Sequence, residues 1–363
     1  MALPATEVIV INVIAAFAGG AFGAALGALP AFIFTGFMVI AGESANLVSR
    51  AIGDAGAADV AILGSITGSI GFGAVFGPHI SFAGGAAAAA YAAKKGYMDT
   101  GFDYHEAKNI THALGTRPDV LAVGGAFGIL GYFITLTSGT LLAAPWDPIA
   151  MGVVLSAFAH RLAFGYDIIG DARKGLMNMK PFEAEERRVM GEAATNGGET
   201  ATDGGETARF LVEPWLPHQY KWPNVTMIGF VVGILGGFIA LTTGSPFLAF
   251  GISAATLLFL NLGVANIPVT HHMSLPASTA ALAVVGGSAP ESLAAAGVAP
   301  LLVGGVFGIV GALAGEVVQR IFYAHADTHL DPPAFAIVIA TFIIALLTFA
   351  GVFSTAVWIP MPF

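Results

Sequence analysis

Apolar residues run through this chain in blocks too long for a soluble core. Val8–Leu29, Val120–Leu142, Thr226–Thr243, Leu301–Val318 and Phe335–Val352 are nearly free of charge, and about 20 apolar residues suffice to cross the hydrocarbon layer of a bilayer. The runs are continuous rather than alternating, which points to helices and away from a transmembrane β-barrel. Their Gly and Ala content suits helices that pack backbone against backbone. With Gly and Pro as punctuation, the pattern predicts spans near 6–28, 31–48, 59–76, 79–95, 118–141 and 147–166, then 222–243, 246–262, 269–288, 299–320 and 333–356. That is an all-α polytopic membrane protein with about eleven transmembrane helices, some of them broken.

One long stretch, 167–221, breaks the apolar pattern. It holds "KPFEAEERRVMGEAATNGGETATDGGETARF"; the GGETAT/GGETAR near-repeat reads as a flexible linker, and Glu183–Glu192 as a short surface helix. The chain then divides into a first transmembrane region (1–166), a hydrophilic acidic linker (167–221) and a second transmembrane region (222–363).

The two regions resemble each other. Leu121–Gly131, "LAVGGAFGILG", parallels Leu301–Gly311, "LLVGGVFGIVG"; Trp146–Phe158, "WDPIAMGVVLSAF", parallels Leu330–Phe342, "LDPPAFAIVIATF"; and His79–Ala90, "HISFAGGAAAAA", parallels His272–Ala283, "HMSLPASTAALA". Three matches in the same order point to an internal duplication. Five spans match five, which leaves the first helix as an extra N-terminal element. Lys94, Lys95, Lys108, Arg117, Arg173, Lys174 and Lys180 flank the first repeat on one side, whereas Arg320 sits beside the internal turn of the second. The positive-inside rule then makes the repeats inverted, with the N-terminus and linker cytoplasmic and the C-terminus outside. Asn109-Ile-Thr111 and Asn224-Val-Thr226 are glycosylation-type sequons on the cytoplasmic side of this topology.

Composition sharpens the class. Of 363 residues, 56% are hydrophobic and only 10% charged, against about a quarter charged in soluble domains. The absence of cysteine excludes disulfides, thiolate metal sites and Cys nucleophiles. The net charge of −9, with few lysines, is a halophilic composition and offers no basic stripe for nucleic acid. The start, "MALPATEVIV", has no basic n-region and reads as the beginning of the first helix rather than a signal peptide.

Candidate chemistry sits at the breaks. His79 follows Gly77-Pro78, and His272 follows Pro268 and Thr270-His271; Ser81 and Ser274 each come two residues later. A helix that starts inside a membrane offers free N–H groups and a partial positive charge to a solute. Asp147-Pro148 and Asp331-Pro332 are helix-start signals, Asp as N-cap and Pro at the first helical position. His325, Asp327, His329 and Asp331 alternate in "HADTHLD" and could ligate a divalent metal such as zinc. Glu316 lies inside an apolar span with Arg320 one turn on; an intramembrane acid is a candidate coupling residue, and the arginine is expected to snorkel to the surface. His160-Arg161 reads as an interface anchor, and the hydroxyls of Ser65, Thr67, Ser69, Thr135, Thr137, Ser138, Thr242 and Thr243 either bond back to their helices or line a path.

No enzyme motif occurs: there is no G-x-S-x-G, H-E-x-x-H or P-loop. The expectation is a multi-pass transporter or channel in a prokaryotic plasma membrane, for a small polar or ionic solute, with its path between the repeats and the breaks at His79 and His272 facing one another. The partners implied are the bilayer, the solute and, through Gly-rich faces, a second copy in a homo-oligomer. Two alternatives stand beside it: a redox protein in which histidines ligate haem, and a structural or assembly protein that moves nothing.

Overall fold

The computed structural model describes residues 3–54, 66–172, 175–189 and 208–362. The chain is mostly helical. Among the described residues, six helices are long and apolar enough to cross a membrane: Thr6–Leu26, Ala28–Ile52, Pro118–Leu141, Trp222–Thr243, Ala299–Tyr323 and Pro332–Phe349. The first region contributes α1 (Thr6–Leu26), α2 (Ala28–Asp54), α3 (Ser81–Lys94), α4 (Pro118–Thr135) and α5 (Pro148–Phe164). The middle segment holds α6 (Lys180–Glu183) and a two-stranded antiparallel sheet of β1 (Arg187–Val189) and β2 (Ala208–Phe210). The second region contributes α7 (Trp222–Thr243), α8 (Leu248–Ala255), α9 (Leu257–Asn261), α10 (His271–Val284), α11 (Leu293–Ala296), α12 (Ala299–Val318) and α13 (Pro332–Phe349).

Several long helices are inside out relative to a soluble bundle. α1 buries Ala16, Gly19, Gly20, Gly23 and Ala24, while Val10, Ile11 and Ile14 are more than half exposed. α7 buries Gly229, Gly233, Gly236 and Gly237 and exposes Met227, Val231 and Phe238; α12 repeats the pattern, with Gly304, Gly308 and Gly311 inside and Leu302 and Val306 outside. Small residues let backbones approach, and a surrounding lipid accepts the large side chains that water would not.

The most extensive helix contacts are α7 with α12 and α1 with α4. Their details run in parallel. Phe17 of α1 covers Gly125, and Phe230 of α7 covers Gly305. Gly23 lies against the Ser81 carbonyl, and Gly236 against that of Ser274. Gly131 has no room for a Cβ beside the His79 carbonyl, and Gly311 none beside that of His272. α3 and α10, 14 residues each, are almost wholly buried at the centre of these groups. Between the groups, α2 meets α8 and α5 meets α13. Both crossings are antiparallel: Gly36 faces Ala254 while Val39 faces Gly251, and the Asp147 N–H donates to Thr341 Oγ1 at 3.0 Å while the Phe158 ring packs on Phe335.

The helix starts behave as their residues require. Asp147 Oδ1 accepts from the N–H groups of Ile149 (2.8 Å) and Ala150 (3.2 Å), and Asp331 Oδ2 from Ala334 (2.8 Å), with proline next in the chain where no N–H is needed. α4 and α12 both run on into a π-helical turn, Leu136–Leu141 and Gln319–Tyr323.

The expected span at 59–76 is corrected. α2 continues through Asp54, and the described part of that stretch holds a π-helical turn, Ile66–Gly71, followed by bends and turns up to Gly77. The run "ITGSIGFGAVFGP" has too many glycines to hold a regular helix once neighbours do not force one. The expected surface helix at Glu183–Glu192 is a single turn ending at Glu183, followed by a strand. Arg173, Lys174, Ser65 and the GGETAT/GGETAR near-repeat lie outside the described residues.

Candidate functional site

A cavity of about 840 Å³ lies between the two groups of helices. The first region lines it with Leu29, Phe32, Phe72, Phe82 and Val153, the second with Phe247, Phe250, Val269, Leu275 and Ile337. Polar groups are interspersed with these, among them Asp103, Asp147, Asp331, Asn109, Asn266, His218, His271, His329 and Lys108. An apolar body with a few placed polar groups is the usual form of a small-molecule site.

At the end nearer the linker, the lining reaches the exposed residues Gly101, Thr111, Gly263 and Val264. Trp215, Leu216 and His218 also line it there, and the middle segment is anchored rather than loose. Gln219 exchanges two hydrogen bonds with the Val269 backbone (3.1 and 3.0 Å), His218 Nε2 reaches the Ile267 carbonyl (2.9 Å), and the Trp215 N–H donates to Gln319 (3.1 Å). A charge cluster fixes the rest. Lys108 Nζ meets Glu213 at 2.5 Å with both side chains at most 2% exposed. Arg209 bridges Glu213 (2.9 Å) and Asp327 (2.5 Å), and Arg188 adds 2.7 Å to Asp327. Burial pushes the Lys108 ammonium down from its ordinary 10.5 to about 8, against the opposing pull of Glu213. Burial also lowers His105 to about 4, so its ring is neutral.

The opposite end closes on aromatic rings. Phe72 packs on Phe247 (5.3 Å between centroids) and on Phe250 (5.6 Å), and Phe247 packs on Trp358 (5.2 Å).

The residues singled out from sequence are placed as follows. His271 lines the cavity between Phe32 (4.8 Å) and Phe250 (5.8 Å), and its Nδ1 has no partner. His79 and His272 lie outside it and do not face each other. His79 packs against Gly77 and Gly152, with its carbonyl on Gly131; His272 packs against Gly315 and Trp215. Ser81 Oγ donates to the Phe76 carbonyl (3.3 Å) and Ser274 Oγ to that of His271 (3.3 Å), each satisfied within its own break. Glu316 forms an ion pair with Arg320 (2.6 Å) and accepts from Gln319 (3.0 Å). Arg320 does not snorkel: it is buried, donates to the carbonyls of Met177 (2.7 Å) and Tyr220 (3.0 Å), and lies over Trp222.

The four side chains of the 325–331 turn do not converge on one point: His325 goes to the Leu176 carbonyl (3.0 Å), Asp327 to the two arginines, and His329 pairs with Asp331 (3.3 Å). Among the described residues, no three His, Asp or Glu come together as a metal set. His160 and Arg161 are fully buried and bind the same turn, through Thr328 and the carbonyls of Phe322 and Thr328. Thr242 and Thr243 bond back to their own helix, whereas Thr135 reaches Pro148 and Ser138 reaches Trp146.

Three features escaped the sequence reading: the Lys108–Glu213 cluster, the anchored 215–219 segment, and Glu43. Glu43, in α2, accepts from Thr67 Oγ1 (2.7 Å), Ser245 Oγ (2.5 Å) and Asn46 Nδ2 (3.1 Å). "FLVEPWLPHQY" carried a signal in its aromatic and apolar residues, and Glu43 carried one as an acid inside an apolar run.

A family model described as "Family of unknown function (DUF7973)" matches residues 2–362. The chain belongs to that family. The DUF7973 match takes in both helical regions and the segment between them, so the cavity and both of its ends lie within it. No curated protein and no solved structure matches this DUF7973 chain.

Proposed function

We propose that the chain is a plasma-membrane transporter built from two inverted repeats, which carries a small organic solute with a largely apolar body through the cavity between them. The observation that carries the reading is the cavity itself: about 840 Å³, lined from both regions, reaching exposed residues at one end and shut by packed rings at the other. Access from one side at a time is what a carrier with alternating access needs.

The repeat reading rests on the paired contacts. Phe17 stands to Gly125 as Phe230 does to Gly305, and the Gly23–Ser81 and Gly131–His79 contacts have counterparts in Gly236–Ser274 and Gly311–His272. By this correspondence α1 is the counterpart of α7, and no extra N-terminal helix is left over. α2 then answers to α8–α9, α3 to α10, α4 to α12 and α5 to α13. Where counterparts touch, at α2–α8 and α5–α13, they run antiparallel. A two-fold axis in the membrane plane produces that; an axis along the membrane normal would make them parallel. Lys180, Arg187, Arg188, Arg209 and Lys221 lie in the middle segment, Lys108 binds Glu213 of that segment, and Arg320 binds the Met177 and Tyr220 carbonyls; this clustering of positive charge at the linker supports a cytoplasmic linker face by the positive-inside rule.

The aromatic lining moves the solute away from the small polar or ionic species expected from sequence. It also speaks against the haem alternative: His271, which lines the cavity, lies between two phenylalanine rings. The test is a thermal-shift screen of the purified protein with amphipathic organic acids, amines and neutral solutes, followed by flux of each hit into proteoliposomes. Val153→Trp, which fills the cavity from α5, is expected to abolish both the shift and the flux while the protein stays monodisperse. Binding and flux that persist with the cavity filled would overturn the proposal.

A further inference from the structure

Glu43 is a buried carboxylate in the apolar part of α2, 4% exposed. Its three hydrogen-bond donors are neutral, and no ion pair to it occurs among the described residues. Glu316, the other acid deep in a membrane-length helix, is by contrast held to an arginine at 2.6 Å. Glu43 is thus anchored by hydrogen bonds to neutral groups instead of by an ion pair, and an acid so placed inside a membrane-length helix is a natural proton carrier.

The donors come from three elements. Asn46 is on α2 itself, Thr67 belongs to the π-helical turn Ile66–Gly71, and Ser245 lies just before α8 in the second region. Ser245 Oγ also accepts from the N–H groups of Phe247 (3.2 Å) and Leu248 (3.0 Å), so the carboxylate is joined through one hydroxyl to the start of α8. Both outer donors lead directly to the rings that shut the far end of the cavity. Phe72 follows the turn that carries Thr67, and Phe247 follows Ser245 by two residues. Phe72 and Phe247, 5.3 Å apart between ring centroids, thus each follow a segment that is hydrogen-bonded to Glu43.

We propose that Glu43 is a proton-binding site that controls the far-end closure of the cavity. Protonation turns one acceptor oxygen into a donor, and Thr67 and Ser245 can then no longer both be held as they are. The geometry favours a proton over a metal ion. The hydroxyl oxygens are in direct hydrogen-bond contact with the carboxylate, with no gap between them for an ion, and hard cations gather about six or more oxygens. The charged group facing this site from its own element is Arg50, two turns along α2, whose guanidinium reaches over Gly244. The turn at 66–71 and the segment 243–250 carry no titratable residue.

This inference rests on the transport reading for its purpose but is tested without flux. Full-length protein in lipid nanodiscs is titrated with acid while the carbonyl band of protonated carboxyl groups is followed by infrared difference spectroscopy. The expected result is a titrating band that is absent in Glu43→Gln and retained in Glu316→Gln. In parallel, a single cysteine at Ile149, which lines the cavity, is treated with a thiol reagent added on the far face, and its rate is divided by that of a fully exposed cysteine at the same pH, because the thiolate is the nucleophile; the ratio is expected to rise several-fold at low pH and to be high at all pH values with Glu43→Gln. A band that Glu43→Gln leaves in place, or reactivity that follows sodium concentration at fixed pH, would overturn the site. Should Glu43→Gln fail to fold, Thr67→Val removes one donor and is expected to move the titration to higher pH; an unmoved midpoint overturns the proposal. A titrating Glu43 in a protein that moves no solute would sink the transport reading and leave the proton site standing.

Discussion

The Lys108–Glu213 pair makes an asymmetric prediction. Glu213→Gln leaves the Lys108 ammonium without a carboxylate in a fully buried position, and Arg209 with only Asp327. Removing one partner of a buried pair in this way costs ~3–5 kcal/mol. Lys108→Met is different. It leaves Glu213 paired with Arg209 at 2.9 Å, and it removes an ammonium that folding already disfavours. The fall from 10.5 to about 8 corresponds to about 3 kcal/mol by which the unfolded chain holds that charge better. Because that figure is already net of the attraction to Glu213, Lys108→Met is expected to leave stability unchanged or to raise it, by up to about 3 kcal/mol. The pH dependence follows from the same numbers. Above pH 8 the folded chain has released the Lys108 proton while the unfolded chain keeps it up to 10.5, so stability rises with pH across that window. In Glu213→Gln the carboxylate's opposing pull is gone, the window opens at lower pH, and the deficit shrinks as the solution is made more alkaline. Denaturant titrations followed by tryptophan fluorescence measure this, since Trp215 lies two residues from Glu213. Equal damage from the two variants, or a Glu213→Gln deficit that does not move with pH, would refute the reasoning.

Two further predictions follow from packing and topology. Gly311→Ala, where a Cβ meets the backbone carbonyl of His272, should destabilise by more than ~3 kcal/mol, whereas Gly305→Ala, where it meets the movable Phe230 ring, should cost about 1 kcal/mol or less in the same denaturant titration. Because the chain has no cysteine, single cysteines at the exposed Ala184 and Glu291 report the sides of the membrane directly. In oriented vesicles an impermeant maleimide should reach them from opposite faces, and labelling of both from one face would contradict the inverted arrangement.

The sequence disclosed what depends on runs of residues and hid what depends on meetings between distant ones. Membrane-length apolar blocks marked most of the long helices, and Asp-Pro marked two starts to the residue, because both signals are local. The span at 59–76 was misjudged because apolar glycine-rich sequence looks alike whether or not it is helical. The repeat register proposed above differs from the one expected from sequence because α1 and α7 share little beyond spaced small residues; in that reading they are paired by the contacts of Phe17 and Phe230 and of Gly23 and Gly236. His79 and His272 were expected to meet because their sequences match, yet each is committed to its own group of helices, against Gly131 and Gly311. Lys108 and Glu213 lie 105 residues apart, and nothing in either neighbourhood announces the other.

The most direct test of a solute path between the two regions compares two cysteines on α5. Val153 lines the cavity, while Leu155, two residues on, is 43% exposed on the outer surface of the helix. In membranes, a charged thiol reagent added at the linker face should modify Val153→Cys and spare Leu155→Cys, which faces lipid. Modification of Leu155→Cys alone, or of neither, would contradict a water-accessible path.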